Sequence, residues 1–277
     1  MESRDNPIDA SVLDSITKLG SADAGRVVIA GSHGGRYAAY CAALGRVRAV
    51  ILNDAGVGWR QAGIAGLSDL QRWGVPAAAA DYQSCRIGDG ADMLRQGVIS
   101  HANALARALG CRPGMRVADA AARLALSSAS FEPPAPLDES RKVLRVAADG
   151  APSVIGADSV SLVDARDDGL IAVTASHGEC LAGLRTDGVN ATPRLITFND
   201  AGMGRDNAGI GRLPLLQRRG IAALTVSAHS ACIGDARSCY EEGVISSANA
   251  RARDLGGRVG IPLRTFIDAL LNGRAIL

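Results

Sequence analysis

The sequence predicts an α/β protein made of two tandem homologous α/β units, each with a mostly parallel sheet. The first observation is that Asn53-Asp54-Ala55-Gly56 recurs unchanged as Asn199-Asp200-Ala201-Gly202. The second is that the offset between the two copies stays constant from there to Asn103 and its match, Asn249. The third is that short apolar runs alternate with helix-compatible segments, which favours parallel strands joined by right-handed crossovers.

Other motifs repeat in the same order around this pair. Ser32-His33-Gly34 recurs as Ser176-His177-Gly178, and Ile87-Gly88-Asp89 recurs as Ile233-Gly234-Asp235. Two copies in one chain usually pack about a pseudo-two-fold axis, because a self-complementary patch then has to arise only once. We therefore expect pseudo-two-fold symmetry, with a first unit at 14–126, a linker at 127–151 and a second unit at 152–273.

Each unit is expected to begin with a β-hairpin. In the second copy, 159–163 and 170–175 have strand composition and flank a polar turn that ends in Gly169. Residues 1–13 are interpreted as a loose lead-in or a short helix. The Ser- and Pro-rich composition of 127–151 is typical of a linker, in which 141–147 could add an edge strand.

The remaining elements of the first copy follow from apolar spacing and from glycines that end helices. The run at 48–52 is apolar and partly β-branched, which is typical of a strand buried on both faces. A stripe that includes Met93, Val98 and Leu105 predicts one long helix at 92–109. The other predicted elements are strands at 26–31 and 75–80 and helices at 36–44 and 67–73.

Composition excludes several classes of function. The chain has 277 residues, of which 47% are hydrophobic, enough for one large core or two medium ones. Lys and Arg number 30 against 28 Asp and Glu, and aromatic residues are only 3%, so no nucleic-acid partner is expected. No apolar run is long enough to cross a bilayer, and no signal peptide is evident. The six cysteines form no Cys-x-x-Cys pair. We expect a cytoplasmic homo-oligomer with free thiols and no membrane partner.

Three polar clusters of the first copy each follow a predicted strand, and each is matched in the second copy. They are Ser32-His33-Gly34, Asn53-Asp54-Ala55-Gly56, and Ser84 with Asp89. The carboxyl ends of parallel strands lie at one edge of a sheet, where ligands bind. We therefore expect the clusters of both copies to meet at one shared cleft.

The catalytic candidates lie in these clusters. A strand-end imidazole can take or give a proton near neutral pH, which favours His33 and His177 as acid–base groups. Asp54 and Asp200 could orient the histidine, act as the general base or bind a metal. Ser32 and Ser176 are candidate nucleophiles, although neither stands in Gly-x-Ser-x-Gly.

Structural alternatives remain open for the same residues. The histidines could be turn residues bonded to the backbone, and the aspartates could stabilise turns or cap helices. Cys232 beside His229 or His177 is a further possible nucleophile, although buried, inert cysteines are commoner.

Substrate binding is assigned to the loops that follow the strands. Gly34 and Gly35 precede a predicted helix, so their N–H groups could bind a carboxylate, a phosphate or a developing oxyanion. The second copy has Glu179 in place of Gly35, which would repel an anion. The other candidates are polar residues of the matched loops: Asn53, Asn199, Ser84, Ser230, Asp89, Asp235, Arg86 and His229, of which Asp89 and Asp235 could instead be helix N-caps.

No cofactor is predicted. The chain has no P-loop, and no Gly-x-Gly-x-x-Gly opens its first helix, so a nucleotide is not indicated. His177, Asp200 and His229 could form a two-histidine, one-carboxylate site for a divalent metal. No local ligand spacing supports that site, and it is the minority interpretation.

These observations favour an enzyme that uses His/Asp acid–base chemistry on a small polar or anionic substrate. Hydrolysis of a small amide or ester that bears a carboxylate is the leading hypothesis. A lyase or isomerase with the same groups, a non-catalytic metabolite-binding protein and a structural subunit are the alternatives.

Overall fold

The computed structural model describes residues 10–128, 132–148, 150–182 and 186–273. It confirms the predicted α/β fold, with two mostly parallel sheets of five and six strands. The described chain forms two compact units. The first contains the described residues up to Asp54 together with 64–137, and the second contains 55–63 together with the described residues from Asp138 onward. The loop at 55–63 belongs to the first copy in sequence and to the second unit in space.

The sheet of the first unit has its strands in chain order. The first four strands are parallel, and the fifth is antiparallel to the fourth. The strands are β1 (Ala10–Leu13), β2 (Val27–His33), β3 (Ala49–Asn53), β4 (Ala77–Ala80) and β5 (Ile99–Ala102). The helices are α1 (Arg36–Leu44), α2 (Gly66–Arg72), α3 (Gly90–Gln96), α4 (Ala104–Ala108) and α5 (Val117–Leu124).

The sheet of the second unit follows the same order with one added strand. The added strand, β6 (Arg141–Val146), lies antiparallel at the edge and confirms the strand expected near 141–147. The next four strands are parallel, and the last is antiparallel. They are β7 (Pro152–Ala157), β8 (Ile171–His177), β9 (Leu195–Asn199), β10 (Ala222–Val226) and β11 (Ile245–Ala248). The helices are α6 (Arg212–Arg218), α7 (Ala236–Glu242), α8 (Ala250–Asp254) and α9 (Leu263–Leu271).

The three central strands of the first sheet, β2, β3 and β4, are buried on both faces, as their apolar runs predict. Val50 and Leu52 pack on the side of α1 and α2, whereas Ile51 packs on the side of α3 and α5. Each such side chain that is fully removed from water stabilises the fold by about 1.5–3 kcal/mol. The result is a three-layer unit with a helix layer on each face of the sheet. No helix in the described ranges is long and apolar enough to cross a membrane.

The hairpin predicted at the start of each unit is wrong. β1 pairs with β2 in parallel, and β7 pairs with β8 in parallel. The segment 159–163, predicted as a strand, contains a 3₁₀ turn at Val160–Leu162 that Ser159 caps. In the first copy Ala10–Leu13 is a strand and not a loose lead-in, whereas 1–9 lie outside the described residues.

The long helix predicted at 92–109 is also wrong. α3 ends at Gln96, and Gly97 follows in an extended conformation with φ −61° and ψ 142°. A Cβ at Gly97 would lie 2.4 Å from the Met93 carbonyl oxygen, so the chain turns there closely against the helix. β5 then pairs with β4, and Asn103 caps α4 through a 3.0 Å bond from the Ala106 N–H. Strand pairing overrides the helical spacing of the apolar residues.

The two copies differ most clearly beside α1. A Cβ at Gly66 would lie 2.5 Å from the Gly35 carbonyl oxygen and 2.6 Å from the Ala39 Cβ, so glycine lets α2 pack closely on α1. In the second copy the described residues between β8 and β9 form no helix where the first copy has α1, and Arg212 occupies the position of Gly66. Arg212 is buried and lies over the Phe198 ring at 5.4 Å. Its guanidinium donates to the carbonyls of Glu179 and Asp187, and so ties the loop to α6.

Candidate functional site

The repeated Asn-Asp-Ala-Gly motif forms a left-handed turn in both copies. Residues 55–58 and 201–204 all have positive φ values, between 48° and 76°. A non-glycine residue in this region costs about 1–2 kcal/mol, so the turn needs compensating bonds. In the second copy Asn199 Oδ1 accepts from the Ala201 N–H, and Asp200 Oδ1 accepts from the Gly202 N–H, both at 2.9 Å. In the second copy the side chains of the motif therefore stabilise the turn.

One carboxylate oxygen of each aspartate also holds the loop that follows the next strand. Asp54 Oδ1 accepts from the Tyr82 N–H at 3.0 Å, and Asp200 Oδ1 accepts from the Ala228 N–H at 2.8 Å. Both aspartates are buried, with 3% of their surface exposed. These contacts support the turn-stabilising interpretation for one oxygen of each residue.

The second oxygen of Asp54 makes a different contact. Asp54 Oδ2 accepts from the Ser100 hydroxyl at 2.7 Å, and the His101 Nδ1 lies 3.0 Å from the same hydroxyl oxygen. Ser100 lies at the irregularity between β4 and β5, and both Ser100 and His101 are half-buried. Bulges of this kind often redirect a side chain beside an active site. Asp54, Ser100 and His101 all belong to the first unit, and we call them the Asp-Ser-His cluster.

The direction of these hydrogen bonds follows from charge. A carboxylate is the strongest acceptor within reach of the Ser100 proton, and the 2.7 Å separation suits a charge-assisted bond. The Ser100 oxygen is then free to accept from the Nδ1–H of His101. In the neutral imidazole this arrangement leaves the lone pair on Nε2, where it can accept a proton.

The second unit does not repeat the Asp-Ser-His cluster. Ser246 occupies the position of Ser100, and its hydroxyl lies 2.9 Å from the Thr225 hydroxyl. Ser247 replaces His101, so no imidazole is present there. Only the first unit therefore contains this proton-accepting arrangement.

His33 lies at the end of β2 and pairs with Asn53 of β3. Its Nδ1 accepts from the Gly35 N–H at 3.1 Å, which places the proton of the neutral ring on Nε2. Burial lowers the pKa of His33 to about 4, so the imidazole is neutral at pH 7. The geometry fits a histidine bonded to the backbone that can offer one N–H donor.

The expectation that Gly34 and Gly35 present open N–H groups to an anion is wrong. The Gly34 N–H donates to the Asn53 carbonyl at 2.8 Å, and the Gly35 N–H donates to His33. In the second copy the Gly178 N–H donates to the Asn199 carbonyl at 3.0 Å. The carbonyl oxygen at the end of the neighbouring strand accepts from Gly34 and from Gly178, and the His33 ring accepts from Gly35, so these donors are already used.

The candidate nucleophiles Ser32 and Ser176 hold the 3₁₀ turns that follow β1 and β7. The Ser32 hydroxyl accepts from the Ile16 N–H at 2.9 Å. The Ser176 hydroxyl accepts from the Val160 N–H at 2.8 Å. Each hydroxyl thus has the same turn-stabilising contact in its own unit.

Ser84 and Ser230 stabilise the loops after β4 and β10. Ser84 donates to the Asp81 carbonyl at 2.7 Å and accepts from the Val98 N–H at 2.9 Å. Ser230 makes the matching bonds in the second copy, to the carbonyl of Ser227 and from the N–H of Val244. Both serines therefore connect a loop to the residue before the next strand.

Asp89 and Asp235 are helix N-caps, which is the structural alternative to the predicted role in substrate binding. Asp89 accepts from the Asp92 N–H at 2.7 Å at the start of α3, and Asp235 accepts from the Ser238 N–H at 3.0 Å at the start of α7. The backbone N–H of Arg86 donates to the Asp92 carboxylate at 2.9 Å.

The other candidates of the second unit lie in different surroundings. His177 is buried and pairs with Asn199, whereas His229 is exposed. Asn199 donates to the Ala231 carbonyl at 3.2 Å, and Asn53 in the first unit contacts the Cys85 sulfur at 3.7 Å. Across the described ranges, no group of three or more His, Cys, Asp or Glu side chains is placed to hold a metal ion.

Cys232 does not have the surroundings of an activated nucleophile. Burial is the main cause that raises the pKa of its thiol, and Asp235 and Glu242 add to the effect. Its sulfur donates to the Trp59 carbonyl at 3.6 Å. A raised pKa keeps the thiol protonated at neutral pH, where only the thiolate is a strong nucleophile.

Trp59 belongs to the loop at 55–63, which is part of the second unit. Two further polar contacts hold this loop within the unit. The Trp59 N–H donates to the Ala228 carbonyl at 2.6 Å, and Arg60 pairs with Glu242 at 2.7 Å. Gly58 packs directly on Ala228, where a Cβ would lie 3.0 Å from its carbonyl oxygen.

Ser100 and His101 are not among the site residues that the sequence predicts. Ser100 carries a signal, because it recurs as Ser246. His101 carries none, since the second copy has serine there and the residue lies inside a segment predicted as helix. The convergence of both copies at one cleft stays a prediction.

No protein-family model, curated protein or solved structure matches this chain.

Proposed function

We propose that this protein hydrolyses a small amide or ester, with His101 as the general base. The observation that carries the proposal is the Asp-Ser-His cluster, in which the Ser100 hydroxyl lies 2.7 Å from Asp54 and 3.0 Å from His101. In hydrolytic sites the general base is usually oriented by a second group that is hydrogen-bonded to it. Here two successive hydrogen bonds, from Ser100 to Asp54 and from Nδ1 of His101 to Ser100, orient the base.

The reaction balances with these groups and water. Nε2 of neutral His101 takes a proton from a water molecule while the water oxygen attacks the carbonyl carbon. The tetrahedral intermediate then collapses, and the protonated imidazole returns the proton to the leaving nitrogen or oxygen. The products are an acid and an amine or alcohol. General acid–base catalysis of this kind contributes about 10²–10⁴-fold to the rate.

Asp54 and Ser100 are positioning residues in this mechanism. The buried Asp54 carboxylate holds the Ser100 proton, and Ser100 in turn holds the Nδ1–H of His101. Ser100 is not assigned as the nucleophile, because its proton is directed to the carboxylate rather than to the histidine.

Stabilisation of the oxyanion is assigned to His33 in place of the Gly34 and Gly35 amides. Its neutral ring offers an Nε2–H donor at the end of β2, next to the strand that leads into Asp54. A neutral imidazole can polarise a carbonyl, as in triosephosphate isomerase. A carboxylate on the substrate would then be bound by Arg86, which is half-buried in the loop after β4.

A lyase or isomerase remains the alternative, because Nε2 of His101 could equally remove a proton from carbon. The two reactions differ in their products. A hydrolase releases an acid and consumes water, whereas an isomerase or lyase exchanges a carbon-bound hydrogen with solvent. A non-catalytic metabolite-binding protein would bind a ligand without either change.

The test is a hydrolysis screen of p-nitrophenyl esters, p-nitroanilides and small lactams, each with and without a carboxylate. Every compound is also followed by NMR in D₂O for hydrogen exchange. We expect turnover that His101→Gln reduces by at least about 100-fold, within the range for a general base. Ser247→Ala, at the matching position in the second unit, is the control and should leave the rate unchanged. Turnover that survives His101→Gln, or exchange without hydrolysis, would overturn the proposal.

A further inference from the structure

Both units carry a serine at the same irregularity of the sheet. The register of β5 on β4 skips Ser100 beside Ala79. The register of β11 on β10 skips Ser246 beside Thr225 in the same way. An extra residue of this kind is a β-bulge, which aims its side chain differently from the regular strand. Because the backbone pairing matches, it does not explain why the two hydroxyls have different partners.

The two bulges differ in the residue that lies beside the serine. Ala79 and Thr225 occupy matching positions of the two copies, and both are fully buried. The Ser100 hydroxyl lies 3.2 Å from the carbonyl oxygen of Ala79, directly against that residue. In the second unit Thr225 Oγ1 lies 2.9 Å from the Ser246 hydroxyl. A methyl group offers no hydrogen bond, whereas a threonine hydroxyl can both donate and accept.

A buried threonine hydroxyl needs a partner, because leaving it unsatisfied is costly. Ser246 is that partner, and among the described residues the Thr225 side chain makes no other hydrogen bond. Ala79 makes no such demand on the serine of the first unit. The Ser100 proton is therefore directed to Asp54, at 2.7 Å.

The aspartate of the second unit has kept an oxygen that could accept from the serine. Asp200 receives the N–H groups of Gly202 and Ala228 at one oxygen, Oδ1. Within the part of the chain that the structure describes, its second oxygen, Oδ2, accepts no hydrogen bond. No competing donor on the carboxylate therefore separates Ser246 from Asp200.

We propose that Ala79 is a positioning residue for the proposed general base, and that the second unit contains a blocked copy of the same arrangement. Alanine at this position leaves the Ser100 hydroxyl to Asp54, so that Ser100 can orient the imidazole. In the second unit Thr225 takes the serine hydroxyl, and Ser247 stands where the imidazole would be. The catalytic consequence rests on the proposed function, whereas the choice of hydrogen-bond partner does not.

The test changes the residue beside Ser100. Ala79→Thr adds a hydroxyl there, and Ala79→Val adds a similar volume without one. Ring ¹⁵N shifts of the whole protein read the tautomer of His101 without any substrate. We expect Ala79→Thr to abolish the preference for a proton on Nδ1, because Asp54 no longer holds the Ser100 proton, and Ala79→Val to keep it. Retention of the preference in Ala79→Thr, or equal loss in both variants, would overturn the proposal.

Turnover separates this proposal from the proposed hydrolysis. Ala79→Thr should lower kcat by about 10-fold relative to Ala79→Val, with little change in KM, as expected for one lost hydrogen bond. If His101→Gln leaves turnover unchanged, the hydrolysis proposal fails while the tautomer result stands. If His101→Gln abolishes turnover but Ala79→Thr changes neither the tautomer nor kcat, the role of Ala79 alone is refuted.

The second unit allows the reverse experiment, which decides the matter if the first-unit variants do not fold by circular dichroism. Ser247→His places an imidazole beside Ser246, either with Thr225 retained or together with Thr225→Ala. We expect the new ring to carry its proton on Nδ1 only in the double variant, where Ser246 can turn to Asp200. The same tautomer in the single and the double variant would overturn the proposal.

Discussion

Ser100 and Asp54 are joined by a 2.7 Å hydrogen bond, and the equivalent pair in the second copy, Ser246 and Asp200, is not. Asp54 and Asp200 both use one oxygen to stabilise a loop, so the copies share the structural role of this aspartate. Only Asp54 uses its second oxygen to orient a serine that contacts a histidine. The same motif therefore stabilises a turn in both copies, and in the first copy its aspartate also orients a candidate general base.

Ser100→Ala should slow turnover of any substrate found in the screen while leaving KM nearly unchanged. Loss of the hydroxyl removes the hydrogen bond that orients the His101 ring but keeps the base, so kcat should fall by about 10-fold, which corresponds to one lost hydrogen bond. Ser100→Thr keeps a hydroxyl and should restore much of kcat. Ser246→Ala is the matched control in the second unit. Equal effects of Ser100→Ala and Ser246→Ala would contradict a specific role for Ser100.

His33 should make the protein less stable as pH falls. Its pKa in the folded protein, about 4, lies below the ordinary value of 6.5 because the ring is buried. The unfolded chain therefore takes up a proton first, so stability is full above pH 6.5 and falls between about pH 6.5 and pH 4. Between pH 7.5 and pH 5 this amounts to about 2 kcal/mol.

Urea unfolding of the wild type and His33→Gln at both pH values measures this contribution. The variant should lose about 2 kcal/mol less than the wild type over the same interval. His229→Gln removes an exposed histidine and is the control. A pH dependence that is the same in His33→Gln and the wild type would show that His33 is not buried in its neutral form.

Gly66→Ala should destabilise the first unit. The new Cβ would meet the Gly35 carbonyl oxygen at 2.5 Å and the Ala39 Cβ at 2.6 Å, so α1 and α2 would have to separate. Overpacking of this kind costs about 1–3 kcal/mol. Gly20→Ala is the control, because the nearest atom to its new Cβ lies 3.9 Å away. Similar unfolding midpoints for the two variants would refute the close packing of α2 on α1.

Arg212→Met should destabilise the second unit. The change keeps much of the side-chain volume but removes the donors to the buried carbonyls of Glu179 and Asp187. Leaving such acceptors unsatisfied costs about 3 kcal/mol in total. Arg218→Met, at an exposed position on the same helix, should change the free energy of unfolding by less than about 0.5 kcal/mol. Equal stability of the two variants would show that Arg212 does not hold the loop after β8.

The sequence predicts much of the fold because the repeat and the apolar runs are local signals. The run at 48–52 could be identified as a buried strand from its composition, and the structure has β3 at Ala49–Asn53. The same signals could not show that the helix predicted at 92–109 is interrupted after Gln96. Its apolar residues keep helical spacing, and only the close contact of Gly97 with Met93 and the pairing of β5 with β4 show the break.

The candidate site was harder to predict for a physical reason. Asn, Asp, Ser and Gly after a strand suit a binding loop and a tight turn equally well, and Ser32 and Ser84 prove to hold turns. Ser100 and His101 lie on a strand, where composition gives no indication of a site. Their role depends on Asp54, which is distant in sequence, so only the folded chain brings the three together.

The most direct measurement is the NMR tautomeric state of His101, read from ring ¹⁵N shifts in the whole protein near pH 7.5. Four histidines make the assignment tractable through single His→Gln variants. We predict that His101 carries its proton on Nδ1, that Ser100→Ala abolishes this preference, and that His33 carries its proton on Nε2. A His101 ring with the proton on Nε2 would mean that Ser100 donates to the imidazole, and it would contradict the proposed base.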